Sequence, residues 1–252
     1  MTIVEICVDD LEGTLEAERA GADRVEVCAN LAEGGTTPSF GLIVRILELV
    51  TTVGVQIMIR PRGGDFVHSD SELSVMVADV CAIRDLAAQG QVPLGIVLGV
   101  LTDAGRVDIG AMRRLMAAAG DLPVTFHKAF DATSDLIAAH AELTELGVVR
   151  ILTSGGAPTA LEGANMLRRL VAKEPHGPVI LAGGSVRTGN VANVVATSGV
   201  SEVHLRAQVI SEHAVPRLVT DAGLVRFVIA ALSAPQSTSN KPNGAQAASE
   251  WV

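Results

Sequence analysis

An α/β fold, a closed (β/α)8 barrel of TIM type with parallel strands, is what this sequence predicts, and three observations predict it. First, glycines at the ends of alanine- or leucine-rich helical stretches lead shortly into β-branched runs. Gly21 precedes Val25-Glu26-Val27, Gly147 precedes Ile151-Leu152, and Gly199 precedes Val203-His204-Leu205; glycine is the usual residue just past a helix C-terminus. Second, prolines open three more apolar runs: Pro93 before Leu94 to Leu98, Pro123 before Val124 to His127, and Pro178 before Val179 to Ala182. Ile3 to Val8 and Val55 to Arg60 complete eight strands. Third, the intervening segments carry apolar residues at helical spacing, clearest in Leu73, Met76, Val77, Val80, Ile83 and Ala87, and in Met112, Leu115, Met116 and Ala119 behind a cap at Asp108. Strict alternation calls for parallel strands. No G-x-G-x-x-G turn follows the first strand, which favours the closed barrel over an open doubly wound sheet, the alternative fold.

The 252 residues are 48% hydrophobic and 19% charged, enough for a substantial core. Aromatic residues make up 2%, with no Tyr and one Trp at position 251, and the net charge is -9. Both argue against nucleic acid, which needs a basic stripe and stacking platforms. No apolar run reaches the roughly eighteen residues of a membrane span. Glu5, Asp9 and Asp10 precede the first basic residue, Arg19, so no signal peptide is read and a cytoplasmic location is expected, with Cys7, Cys28 and Cys81 as thiols. Residues 1–232 are read as the barrel domain; from about Ser233 the composition turns to Ser, Pro, Asn, Gln and Ala, a disordered tail over 233–252.

Side chains alternate across a strand, so one parity meets the helices and the other the lumen. Val4, Ile6 and Val8, Val25 and Val27, Ile57 and Ile59, Val124 and Phe126, and Val203 and Leu205 form the apolar parity. The other carries Glu5 and Cys7, Glu26 and Cys28, Gln56, Met58 and Arg60, Thr125 and His127, and Glu202, His204 and Arg206. An inert barrel fills its lumen with aliphatic residues, so this is either a charge network or a working site.

Sites in such barrels lie at the C-terminal ends of the strands. The stretch Arg60-Pro61-Arg62-Gly63-Gly64-Asp65-Phe66 closes a strand there with two guanidinium forks that suit an anion, or that pair with the protein's own acids. Asn30, Asp131, Thr153 and Ser154 join from loops. The glycines of Thr153-Ser154-Gly155-Gly156 and of Ala182-Gly183-Gly184-Ser185 offer backbone N–H groups to an anion, or simply make room. His127, beside Lys128 and four residues before Asp131, is the candidate for proton transfer; the competing reading is a histidine hydrogen-bonded within a polar lumen. Glu5 and Glu26, lumen neighbours, suggest a carboxylic acid/carboxylate pair. Cys7 and Cys28 share the inward parity on adjacent strands, so their sulfurs either converge on a soft ion such as Cu(I) or pack as small buried groups.

Several of these segments resemble the CutC family of copper-homeostasis proteins: Glu5-Ile6-Cys7-Val8-Asp9, Glu18 through Glu26 to Cys28, Glu33-Gly34-Gly35-Thr36-Thr37-Pro38-Ser39, Arg60 to Phe66, Thr125-Phe126-His127, Ala129-Phe130-Asp131, Leu152-Thr153-Ser154-Gly155 and Glu202-Val203-His204. The resemblance implies a cytoplasmic (β/α)8-type barrel, a homodimer or homotetramer, linked to copper tolerance, with Cys7 and Cys28 as Cu(I) ligands. Lys128 stands where Arg is usual, His68 where Tyr is, and Arg206 where a small Ser normally follows the last-strand histidine, adding positive charge at the mouth. Two functions remain in view. One is copper homeostasis through Cu(I) at the lumen cysteines. The other is a metal-independent enzyme acting on a small anionic or polyhydroxy substrate by His/Glu acid-base chemistry, with Arg60, Arg62, Asp65, Asn30, Thr153, Ser154, Gly183, Gly184 and His204 around the substrate.

Overall fold

Strand and helix alternate throughout the computed structural model, which describes residues 1–87, 92–212 and 215–233. The expected tail lies outside the described residues from 234 onward. The order is β1 Ile3–Val8, α1 Leu11–Arg19, β2 Arg24–Val27, α2 Phe40–Leu49, β3 Gly54–Met58, α3 Asp70–Ala87, β4 Leu94–Leu98, α4 Ile109–Ala119, β5 Val124–Phe126, α5 Leu136–Glu145, β6 Arg150–Thr153, α6 Ala164–Val171, β7 Val179–Ala182, α7 Val191–Ser198 and β8 Glu202–Leu205. Strands β1 to β8 pair in parallel as one closed barrel, and β8 returns to β1 with Val4 opposite Val203. The open-sheet alternative is thereby ruled out.

Local chemistry fixes the element ends. Asp10, Ser39, Asp108 and Asp135 each accept a backbone N–H in the first turn of the helix that follows. Gly21, Gly147 and Gly199 take φ of +91°, +77° and +77° between a helix and the next strand, a conformation that disfavours any side chain.

The apolar parity faces the helices as read. Ile6, Val25, Ile57, Ile96, Phe126, Ile151, Ile180 and Val203 belong to one continuous buried cluster with the inner helix faces. A second, small cluster of Cys7, Cys28, Leu31, Met58 and Val97 occupies the lumen.

Below it the lumen is closed by charge. Arg24 pairs with Glu5 through Nε and with Glu202 through Nη2 (2.5 Å), while Arg150 Nε reaches the same Glu202 oxygen at 2.6 Å and its Nη1 donates to Thr125 Oγ1 at 3.1 Å. Arg24 and Arg150 were not singled out by sequence reasoning, although they sit on the inward parity. After β8 an antiparallel hairpin, β9 Gln208–Ile210 and β10 Leu218–Thr220, precedes α8 Ala222–Ser233; nothing in the sequence pattern announced it. None of the described helices is long and apolar enough to cross a membrane.

Replacing Arg24 with Met strands Glu5 and Glu202 as buried carboxylates without their shared partner. Chemical denaturation is expected to show a loss of about 3–5 kcal/mol; a loss under about 1 kcal/mol would mean that the network contributes little.

Candidate functional site

At the C-terminal end of the barrel lies a cavity of about 510 Å³. Its floor is made by Cys7 of β1, Glu26 of β2, Met58 of β3 and His204 of β8; Arg60, Phe66 and His127 form walls, and Lys128, Ser185, Arg187 and Arg206 stand at the mouth.

The floor is buried and charged. His204 Nδ1 lies 2.7 Å from Glu5 Oε1, which turns Nε2 toward Glu26 Oε2 at 3.8 Å. Cys7, Glu26 and His204 each offer a ligand atom, all within 4.8 Å of one another. Cys28 lies just behind: its Sγ is 4.0 Å from Cys7 Sγ and 3.4 Å from Glu26 Oε2. The shared parity of the two cysteines therefore does bring their sulfurs together.

Burial works against an ionised Glu5, but Arg24 and His204 overcome it and hold the carboxyl at about 2. Glu26 has no such arginine. Burial drives it up to about 8, and its Oε1 has no hydrogen-bond partner among the described residues. The hydrogen bond shared with Cys28 draws the Cys7 thiol well below its usual range and pushes that of Cys28 well above it. Burial likewise opposes a charged His204, yet Glu26, Cys7 and Glu5 together raise it well above the ordinary imidazole value. The two carboxyls thus sit far apart on the pH scale, as the pairing of Glu5 with Glu26 suggested, but Glu5 lies beneath His204 and does not line the cavity.

His127 is only 3% exposed and lies between the rings of Phe66 (4.9 Å) and Phe126 (5.9 Å). Its Nδ1 accepts from Ala129 N at 3.2 Å, so Nε2 carries the proton and finds no partner. Burial and the Arg60 charge push it down to about 3. A neutral imidazole in this setting is a fixed hydrogen-bond donor, and the proton-transfer role ascribed to His127 has no support in its surroundings. Gly99 makes room for the ring: a Cβ there would stand 2.7 Å from His127 Cε1.

Arg60 lines the cavity, but Nη1 donates to Glu33 O and Gly35 O and Nη2 to Gly64 O, while its plane lies over Phe66 at 4.9 Å. Arg62 turns away. It pairs with Glu72 and Asp65 and donates to the carbonyls of Gly63 and Val67, so Arg62, the expected anion holder, and Asp65, a substrate-binding candidate, are tied to each other and to their own loop. Asp131 is likewise structural: it accepts from Thr153 Oγ1, the N–H groups of Ser154 and Gly156, and Lys128 Nζ, which leaves Asp131, Thr153 and Ser154 organising the β6 loop. Asn30 is exposed at φ +52° and outside the cavity wall. Gly183 donates its N–H to Thr153 O (2.9 Å), whereas Gly184 reaches the wall. Sequence reasoning passed over Arg187, whose only signal was its place in the loop after β7.

The family model described as "CutC family" matches residues 2–209. A human protein named copper homeostasis protein cutC homolog is 42% identical over 206 residues, covering 82% of this chain and 73% of its own. A Klebsiella pneumoniae CutC family protein is 44% identical over 207 residues, covering 82% and 81%. The crystal structure of a CutC protein from Streptococcus agalactiae superimposes with a TM-score of 0.74 at 34% identity, over 81% of this chain and 98% of that one.

Glu26 sets a pH dependence. A carboxyl raised in the native state from 4.5 to about 8 makes the folded protein bind more protons than the unfolded chain between those values, so stability falls as pH rises through that window. Glu26→Gln is expected to remove a slope of up to about 1.4 kcal/mol per pH unit from denaturation midpoints followed across the window. Parallel curves for the two proteins would disprove the assignment.

Proposed function

Starting from the fact that this chain belongs to the CutC family, we propose that it serves copper homeostasis by carrying Cu(I) as cargo at the floor of the barrel. One observation carries the reading: Cys7 Sγ lies 4.0 Å from Cys28 Sγ just behind it and within 4.8 Å of a ring nitrogen of His204, whose Nδ1 is pinned by Glu5. Thiolate and imidazole are the ligands a soft monovalent copper selects. The fit is geometric as well, because an ion bonded to each sulfur at about 2.3 Å spans separations up to about 4.6 Å.

Cys7 and Cys28 are the sulfur donors and His204 Nε2 the third. The Glu5–His204 contact has the form of the carboxylate–histidine pairs that orient metal-binding imidazoles. Glu26, Cys7 and Glu5 keep His204 charged, so loading displaces its proton, and Cys28 gives up its own. Glu26, the hardest donor of the set, is raised to about 8 and keeps its own proton near neutrality, so it stays a neutral neighbour of the sulfur and imidazole donors. Free thiols and the monovalent state both persist in a reducing compartment, which supports a cytoplasmic location.

An anaerobic Cu(I) competition titration of the reduced protein against a chelator is expected to show one tightly bound ion. Cys7→Ser/Cys28→Ser should abolish it, and Glu5→Gln should weaken it by about 10–100-fold through loss of the imidazole's orientation. Binding that survives in the double variant would overturn the reading.

A further inference from the structure

The cavity is far larger than a bare metal ion requires. Its volume of about 510 Å³ falls in the range that admits small organic molecules. The mouth also runs against the character of the whole protein. With a net charge of -9 the surface at large repels anions, yet Lys128, Arg187 and Arg206 all face the cavity mouth, against one exposed carboxylate there, that of Glu33. Lys128 is engaged by Asp131 and Ser154. Arg187 and Arg206 are not neutralised in that way. Among the described residues Arg187 donates to the carbonyl of Val186 and Arg206 to that of Leu31; neither has a carboxylate within 4 Å, and Asp9 is near enough to feel the Arg206 charge.

Inside the mouth two buried donors find no acceptor among the described residues: His127 Nε2 and Arg60 Nε, on residues 3% and 4% exposed that both line the cavity. A buried N–H left without an acceptor costs about 1–3 kcal/mol, so two at one cavity wall are a standing invitation to an oxygen-rich ligand. Beside them the backbone N–H groups of Gly184 and Ser185 find no acceptor among the described residues, on a turn with φ of +111° and +55°. Two unneutralised guanidinium groups and several N–H donors suit a dianion with three free oxygens better than a single carboxylate.

We propose that this cavity binds the phosphate group of a small phosphorylated organic molecule, held by Arg187 and Arg206 at the mouth and by the Nε2–H of His127 from within. The organic part fills the remaining volume above the floor. The proposal stands independently of copper, since none of these residues is a donor to the ion.

The test follows the His127 ring signal by nuclear magnetic resonance on the full chain as ribose 5-phosphate, inorganic phosphate or ribose is added. A saturable shift with ribose 5-phosphate below about 20 mM is expected, at least as tight as with inorganic phosphate and absent with ribose. Arg187→Ala/Arg206→Ser should weaken it about tenfold or more, while Cys7→Ser/Cys28→Ser should leave it intact even where copper binding is lost. No saturable shift with ribose 5-phosphate, a shift that the arginine variant keeps, or an equal response to ribose would each overturn the proposal.

Discussion

Arg24 between Glu5 and Glu202 is the interaction on which the rest depends. Two carboxylates inside a barrel of aliphatic strands would be untenable without a cation shared between them, and Arg150 completes the neutralisation from the other side. The gain is more than a closed floor. Because Arg24 keeps Glu5 ionised, Glu5 can hold His204 in one orientation, and His204 in turn faces Cys7 and Glu26. Fold stability and site geometry thus pass through one guanidinium at the base of the molecule.

The charge states above that floor follow from proximity to arginine. Glu5 touches one and stays ionised; Glu26, one layer higher, touches none and keeps its proton near neutrality. The sulfurs divide in the same fashion, since one thiol donating to the other lets only one become a thiolate easily. A single small volume therefore holds an acid, a base and two sulfur donors in complementary states.

How far this was legible in the sequence depends on the kind of residue. The barrel was readable because glycine and proline punctuate each strand and because period-two alternation separates Ile6, Ile57 and Phe126 from Cys7, Met58 and His127. The convergence of Cys7 with Cys28 followed from that parity. Arg62, Asp65 and Asp131 were ambiguous in the sequence because a charged residue near a strand end looks alike whether it meets a ligand or ties its own loop; only the structure brings out partners such as Glu72 and Thr153, distant in sequence or across a turn. His127 misled for a related reason: its neighbours in sequence, Lys128 and Asp131, turn outward to each other, while its neighbours in space are two phenyl rings. The hairpin β9–β10 left no pattern, being too short for periodicity to register.

Arg60 has a consequence for traffic. By donating to Glu33, Gly35 and Gly64 it staples the loop after β2 to the loop after β3, so one half of the doorway is bolted shut. On the opposite half Lys128 and Asp131 tie the loop after β5 to the loop after β6 through Ser154, while Ser185 and Arg187 stand exposed. Whatever enters this barrel meets a rim that carries positive charge from Lys128, Arg187 and Arg206.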